Sequence, residues 1–373
     1  MQRNSKEKFL IIVIIVLIGI IVFGFFHFRN KEKITINTEA PVTSSPLGIS
    51  KVIEEDKAVV EKANKLDETI KEPEPVPLPE GTDRFIVSLK DTSENIATNL
   101  FDQGYITDKD SFIKLISDKS GVSIIVPGGY KISKEMNASQ LVQVLKGKAY
   151  MKWVVIPEGL RKEEIAKLLA DKLGWTTKQK DEWIKTDTTI KPEYIEGVYS
   201  PDTYLIPVDE APAQVAKRLI AKFNEKFAEF LPQFTAKNIR WTTALTLASI
   251  VQREAANDSD TPLIAGILWN RLNQGMKLEV DATLQYVRGD VGNGWWAPIS
   301  VADKKTDSPY NTYIHTGLPP HPISNPGIPA INAVLNPTKT DCLYYLHDKS
   351  HVTHCAVTYE EHQANIEKYL KSN

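Results

Sequence analysis

Phe85 to Leu100, FIVSLKDTSENIATNL, and Val154 to Leu169, VVIPEGLRKEEIAKLL, are two copies of one pattern. Each opens on a short β-branched run, passes a tight turn, and leads through polar residues into Ile-Ala-x-x-Leu. Ile96, Ala97 and Leu100 match Ile165, Ala166 and Leu169 in spacing. The spacing predicts strand, turn and amphipathic helix in each copy. Between them the sequence predicts a helix over Tyr105–Ile116, a strand over Val122–Val126 and a helix over Ala138–Leu145, which completes a small α+β module. The expected fold class is α+β: that module over 83–150, then a mixed α/β domain over 151–373.

Composition agrees with a folded body carrying an extension. The chain has 373 residues, 42% hydrophobic and 25% charged, enough for about two domains with sizeable cores. Lys plus Arg number 45 against 47 acidic residues, and the net charge of −2 speaks against a nucleic-acid partner. Two cysteines, Cys342 and Cys355, are too few for a disulfide scaffold or a four-thiolate zinc site.

The front of the chain reads as a membrane anchor. Phe9 to Phe26 is eighteen residues without a charged or polar side chain, about the minimum for a helix crossing a ~30 Å hydrocarbon core. Aromatic residues and Arg29 follow where a signal peptide would carry a small-residue cleavage site. The expected plan is a cytoplasmic tail (1–8), a transmembrane helix (9–28) and a linker (29–82), with a single-pass topology that places the body outside the plasma membrane. Thr38 to Ser50 is rich in Thr, Ser and Pro, Lys51 to Lys71 permits one solvated or weakly self-associating helix, and EPEPVPLPEG (72–81) reads as a semi-rigid polyproline spacer. The 83–150 module resembles the LysM-like modules that recognise aminosugar polymers.

The second half carries the chemistry-bearing motifs. Tyr194 to Tyr204, YIEGVYSPDTY, is loop-rich and aromatic; Ala213 to Phe230 predicts a helix with Val215, Leu219, Phe223 and Phe227 on one face. In Trp241 to Ala256, WTTALTLASIVQREAA, Ala244, Leu247, Ala248, Val251 and Ala255 form one apolar stripe, and Glu254 projects from that stripe. A carboxylate there is costly unless paired or needed protonated; a structural ion pair is the plainer explanation. Thr261-Pro262 predicts a helix start and Gly275 its stop, with Asn270 and Arg271 late in the helix. Met276–Tyr286, with Asp281 and Thr283, reads as strand-like. SPYNTYIHTGLPPHPISNPG (308–327) is a rigid, irregular segment whose aromatic and polar groups suit sugar recognition.

ASIVQREA (248–255), NRL (270–272), DATLQY (281–286), the YNTY–GLPP block and Glu361-His362 together resemble the membrane-anchored endolytic murein transglycosylases, the YceG-like family. SPDTY (200–204) and IPEG (156–159) fit as well. The resemblance implies peptidoglycan glycan strands as substrate, a catalytic glutamate at Glu254, a LysM-like subdomain and a partnership with cell-wall synthases. Where the family commonly has an acidic residue, this chain has Gln252.

The implied reaction needs one dominant acid. Protonated Glu254 donates to the glycosidic oxygen between MurNAc and GlcNAc, then takes the proton of the MurNAc C6 hydroxyl as it attacks C1, leaving a 1,6-anhydro end. Intramolecular attack has a high effective molarity. Tyr310, Asn311, Thr312, Tyr313, Asn270, Arg271 and Asp281 are the candidate substrate-binding residues. The alternatives are a non-catalytic wall-binding scaffold and a two-carboxylate hydrolase using Asp281 or Asp202. His347, His351, His354 and His362 near the two cysteines invite a zinc reading, but their spacing matches no tight ligand motif, and no metal or other cofactor is expected. The cysteine-flanked segment predicts two strands around a turn, across which a disulfide is possible.

Overall fold

The structure, a computed structural model, describes residues 56–371. The expected transmembrane helix and the Thr/Ser/Pro-rich stretch lie outside the described residues. Among the described residues, no helix is long and apolar enough to cross a membrane.

After a first short helix, α1 (Lys57–Ala63), the chain builds one order of elements twice. The first pass is β1 (Asp83–Val87), α2 (Ser93–Asp102), α3 (Lys109–Ile116), β2 (Gly128–Ile132) and α4 (Ala138–Lys146). The second is β3 (Met151–Ile156), α5 (Lys162–Leu173), α6 (Thr177–Glu182), β4 (Asp202–Pro207) and α7 (Pro212–Phe227). The predicted duplication is therefore real, and it extends beyond the quoted segments. The four strands form one antiparallel sheet in the order β1-β2-β3-β4. Phe85 faces Tyr130 within the first unit, Val154 faces Tyr204 within the second, and the pairing of Gly129 with Met151 joins the two. That joint requires glycine: a Cβ on Gly129 would meet the Met151 side chain at 2.9 Å.

Each unit has its own core. Phe85, Ile96, Leu100, Phe112, Ile132 and Leu141 fill the first, while Ile165, Leu169, Trp183, Tyr204 and Leu219 begin a larger one in the second. Two expectations shift within the first unit. The helix starts at Lys109, because Asp108 accepts the Ser111 amide as its cap. Val122–Val126 is not a strand; Val122 and Val126 are exposed, and the paired strand is Gly128–Ile132, whose glycines admit β3.

The larger core continues through α8 (Leu231–Ala236), α9 (Trp241–Glu254), α10 (Thr261–Asn273), α11 (Asp281–Arg288) and α12 (Ile328–Leu335). The Met276–Tyr286 strand is corrected. Leu278, Val280, Ala282 and Leu284 alternate and all four are buried, yet residues 276–280 form no strand and the chain is helical from Asp281. Asp281 at the first helical position suits the positive helix terminus, and the left-handed Glu279 (φ 54°) makes the turn. The C-terminal hairpin, β5 (Tyr344–His347) with β6 (Thr353–Ala356), is bracketed by a Cys342–Cys355 disulfide, and α13 (Tyr359–Asn365) follows.

The stretch expected as a plain tether is partly a strap on this body. Leu66 and Ile70 pack against the larger core. Asn64 donates to Thr235 Oγ1 and the Ile239 carbonyl, both at 2.9 Å, and its Oδ1 accepts the Trp241 amide at 2.8 Å. Arg240 precedes α9 without capping it by its own side chain, so Asn64 supplies that cap from 177 residues away. Asp67 pairs with Lys191 and its carbonyl accepts from Asn224 at 3.1 Å; Glu72 pairs with Arg218. Asn64→Ala is expected to cost about 1–2 kcal/mol of stability. For a body of this size that lowers the thermal midpoint by roughly 3–6 °C; an unchanged midpoint would show the strap to be a passive tether.

Candidate active site

Glu254 is the last residue of α9, a helix buried along most of its length. The 308–327 loop is stitched to this helix. Ser249 Oγ accepts the Ile323 amide at 3.0 Å, Ser324 Oγ donates to the Ser249 carbonyl at 3.1 Å, and Gln252 Oε1 accepts the Gly327 amide at 2.9 Å. Gln252 thus serves as a buttress in this fold.

Beyond Gln252, the half-buried Glu254 turns toward the start of α11 and the C-terminal hairpin. Tyr345 Oη donates to Glu254 Oε2 at 2.7 Å. Burial raises the Glu254 pKa; the Tyr345 hydrogen bond opposes this, the charge of Asp281 adds to it, and the Ala282 amide and Arg253 oppose it. The net direction is upward, as a proton donor near neutral pH requires. Asp281 accepts the Tyr313 hydroxyl. Burial and that hydrogen bond push the Tyr313 pKa up, with the fields of Asp281 and Glu254 adding.

Of the residues singled out from sequence, Glu254, Asp281 and Tyr313 share one electrostatic cluster. Asn270, Arg271, Asn311 and Thr312 stand behind it and direct their polar groups to the main chain. Asn270 donates to the carbonyls of Thr340 (2.7 Å) and Cys342 (3.1 Å). Arg271 donates to Leu343 and Leu278, both at 2.6 Å, tying the hairpin that carries Tyr345 to the segment before α11. Asn311 donates to the Thr306 carbonyl at 2.8 Å, and Thr312 Oγ1 accepts the Val280 amide at 3.0 Å. Tyr310 belongs to a neighbouring cluster, its ring 5.2 Å from that of Tyr286. Asp202, at the start of β4, pairs with Lys226 of α7 at 2.8 Å.

That neighbouring cluster went unread in the sequence. Glu196 is fully buried, accepts from Asn325 Nδ2 at 2.7 Å and faces the Lys162 amide at 3.2 Å. Burial carries its pKa up to about 7. Arg161 lies over the rings of Tyr286 (4.2 Å) and Trp295 (4.4 Å), while Arg253 lies 3.9 Å over Trp296. Tyr345 was also missed: only tertiary structure brings it to Glu254. The Gly-flanked Trp295-Trp296 pair, and an acid within YIEGVYSPDTY, were the available signals. Among the described residues no His, Cys, Asp and Glu are gathered to hold a metal ion, and both cysteines form the disulfide.

Two consequences are measurable without substrate. Removing a donor to a carboxylate favours its neutral form, so Tyr345→Phe is expected to raise the Glu254 pKa in a carboxyl-carbon NMR titration; a fall would reverse the assigned role. For Glu196, the folded pKa of about 7 exceeds the ordinary 4.5. The folded state then holds the extra proton, and its stabilisation is full below about 4.5 and lost as pH rises to about 7. Glu196→Gln should flatten this part of the stability profile, and an unaltered slope would assign it to other groups.

The sequence profile of the YceG-like family matches residues 85–368. Over 274 residues the chain is 30% identical to the endolytic murein transglycosylase of Bacillus subtilis (strain 168), covering 68% of this chain and 75% of that protein. Against the endolytic murein transglycosylase of Streptococcus pneumoniae serotype 2 it is 33% identical over 183 residues, 48% of this chain and 33% of the relative. A 2.6 Å crystal structure of a yceG-like protein from Listeria monocytogenes superposes with a TM-score of 0.56 at 26% identity, covering 77% of this chain and 99% of the other. The profile match spans both repeated units, the 308–327 loop and Glu254, and the chain belongs to the YceG-like family.

Proposed function

We propose that this protein is an endolytic lytic transglycosylase that cleaves the MurNAc–GlcNAc bond of peptidoglycan strands and leaves 1,6-anhydro-MurNAc ends. The reading rests on family membership and on relatives that are endolytic murein transglycosylases. The observation that carries the chemistry is Glu254, a carboxyl with raised pKa held at a helix end by the Tyr345 hydroxyl and the Ala282 amide. Protonated, it delivers its proton to the glycosidic oxygen; as carboxylate, it accepts the C6 hydroxyl proton during ring closure. Tyr345 fixes the carboxyl orientation through both steps, and the Tyr313–Asp281 pair places negative charge beside the developing oxocarbenium centre. The half-buried Tyr310, Trp295 and Trp296 offer rings for sugar stacking.

The wider organisation belongs to the same proposal. Residues 9–28 anchor the chain in the plasma membrane, 83–150 form a LysM-like subdomain that holds the glycan, 151–373 form the catalytic domain, and the body works on the outer face beside cell-wall synthases. The apolar Phe9–Phe26 run and the first βααβα unit support this arrangement.

A two-carboxylate hydrolase deserves a place only because the charge of Asp281 reaches Glu254. Mass spectrometry of digested glycan separates the readings. Wild-type protein should release anhydro ends, and Glu254→Gln should lose about 10²–10⁴-fold in rate while keeping its fold. Reducing ends would mean hydrolysis, and binding without cleavage by the wild type would mean a scaffold.

A further inference from the structure

Arg253, next to Glu254, differs from the other arginines around the site. Arg161 ends on Glu163 at 2.6 Å and the Tyr286 carbonyl at 2.8 Å; Arg271 and Arg288 end on main-chain carbonyls, with Glu279 at 3.5 Å and Asp303 at 3.7 Å as their respective ion-pair partners. Arg253 makes one long contact, 3.4 Å from Nη1 to the Gly159 carbonyl. Its Nε is buried without a partner, and among the described residues no carboxylate lies within ion-pair distance. Trp296, itself held by Glu164 at 2.9 Å, stands under the guanidinium at 3.9 Å. Gly159 leaves the room: a Cβ there would sit 3.3 Å from Nη1. A guanidinium does not shed its proton, so this is a permanent, half-buried cation with unused donors.

We propose that Arg253 reads the muramyl residue, its guanidinium receiving the carboxyl-derived group of the lactyl ether that N-acetylglucosamine lacks. The inference rests on Glu254 acting at the glycosidic oxygen of that same sugar. Successive helical side chains diverge by about 100°. Glu254 and Arg253 therefore reach neighbouring sides of one helix end, and a single ring can present its C1 oxygen to one and its C3 substituent to the other. A guanidinium suits this role because its fork bonds a planar carboxylate or carbonyl with two donors. Trp296, with the guanidinium over its ring at 3.9 Å, limits the rotation of the fork. In strands without stem peptides the acceptor is the free lactyl carboxylate; in strands with peptides it is the amide carbonyl.

Binding is measured by calorimetry on the full-length Glu254→Gln protein, with peptide-free strands, peptide-bearing strands, and peptide-free strands whose lactyl carboxyl is reduced to an alcohol. Reduction is expected to weaken binding about tenfold. Adding Arg253→Met should weaken binding to the carboxylate strands by a similar factor and abolish the effect of reduction, and Arg253→Lys should restore part of it. Equal affinity for peptide-free and peptide-bearing strands would identify the carbonyl as sufficient, and tighter binding of peptide-free strands would identify the anion; both support the proposal. Indifference of the Arg253-containing protein to reduction overturns it, as do penalties that multiply in the double variant. Should Arg253→Met lose its near-ultraviolet dichroism, Arg253→Gln takes its place in the same comparison. Retained cleavage by Glu254→Gln would defeat the assignment of the acid and leave the binding test of Arg253 standing.

Discussion

One carboxyl group sits where two helix ends meet, and the architecture around it serves that meeting. Glu254 closes α9, whose carbonyl end disfavours an anion, and faces the opening of α11, whose amides favour one. Burial tips the balance toward the neutral acid, while the Tyr345 hydroxyl keeps the ionised form within reach. A group that must both lose and regain a proton needs such opposed influences. Either alone would fix it in one state.

The support for this arrangement is polar and lies one layer back. Arg271 spends its donors on carbonyls of two separate segments, Thr312 takes a main-chain amide, and Ser249 and Gln252 hold the 308–327 loop along α9. Ser249 and Gln252 sit in the same ASIVQREA motif as Glu254, while Arg271 and Thr312 belong to the neighbouring NRL and YNTY motifs. A motif of this kind records the frame of a site as much as its reactive atoms, since a misplaced wall costs as much as a missing group.

How far the sequence reading reached follows from the range of the interactions involved. The doubled strand-helix pattern was legible because Ile96, Ala97 and Leu100, like Ile165, Ala166 and Leu169, bury a local helical face. Glu254 was legible for the same reason, lying on the apolar stripe of α9. Leu278 to Leu284 misled because their alternation is real, but a helix begins in the middle of it. Asn64 as a cap, Tyr345 as a donor and Glu196 as a buried acid depend on partners 91 to 177 residues away. Local periodicity carries no record of such partners.

The hairpin that bears Tyr345 sets an order of events during synthesis. A ribosome releases α9 well before the 91 further residues that end at Tyr345. Until those have emerged and paired as the hairpin, the acid has its helix but lacks the hydroxyl that aims it. Assembly of the reactive centre is therefore vectorial, completed only once the Tyr345 hairpin has appeared. A nascent or C-terminally clipped polypeptide would have most of the core and an unfinished centre.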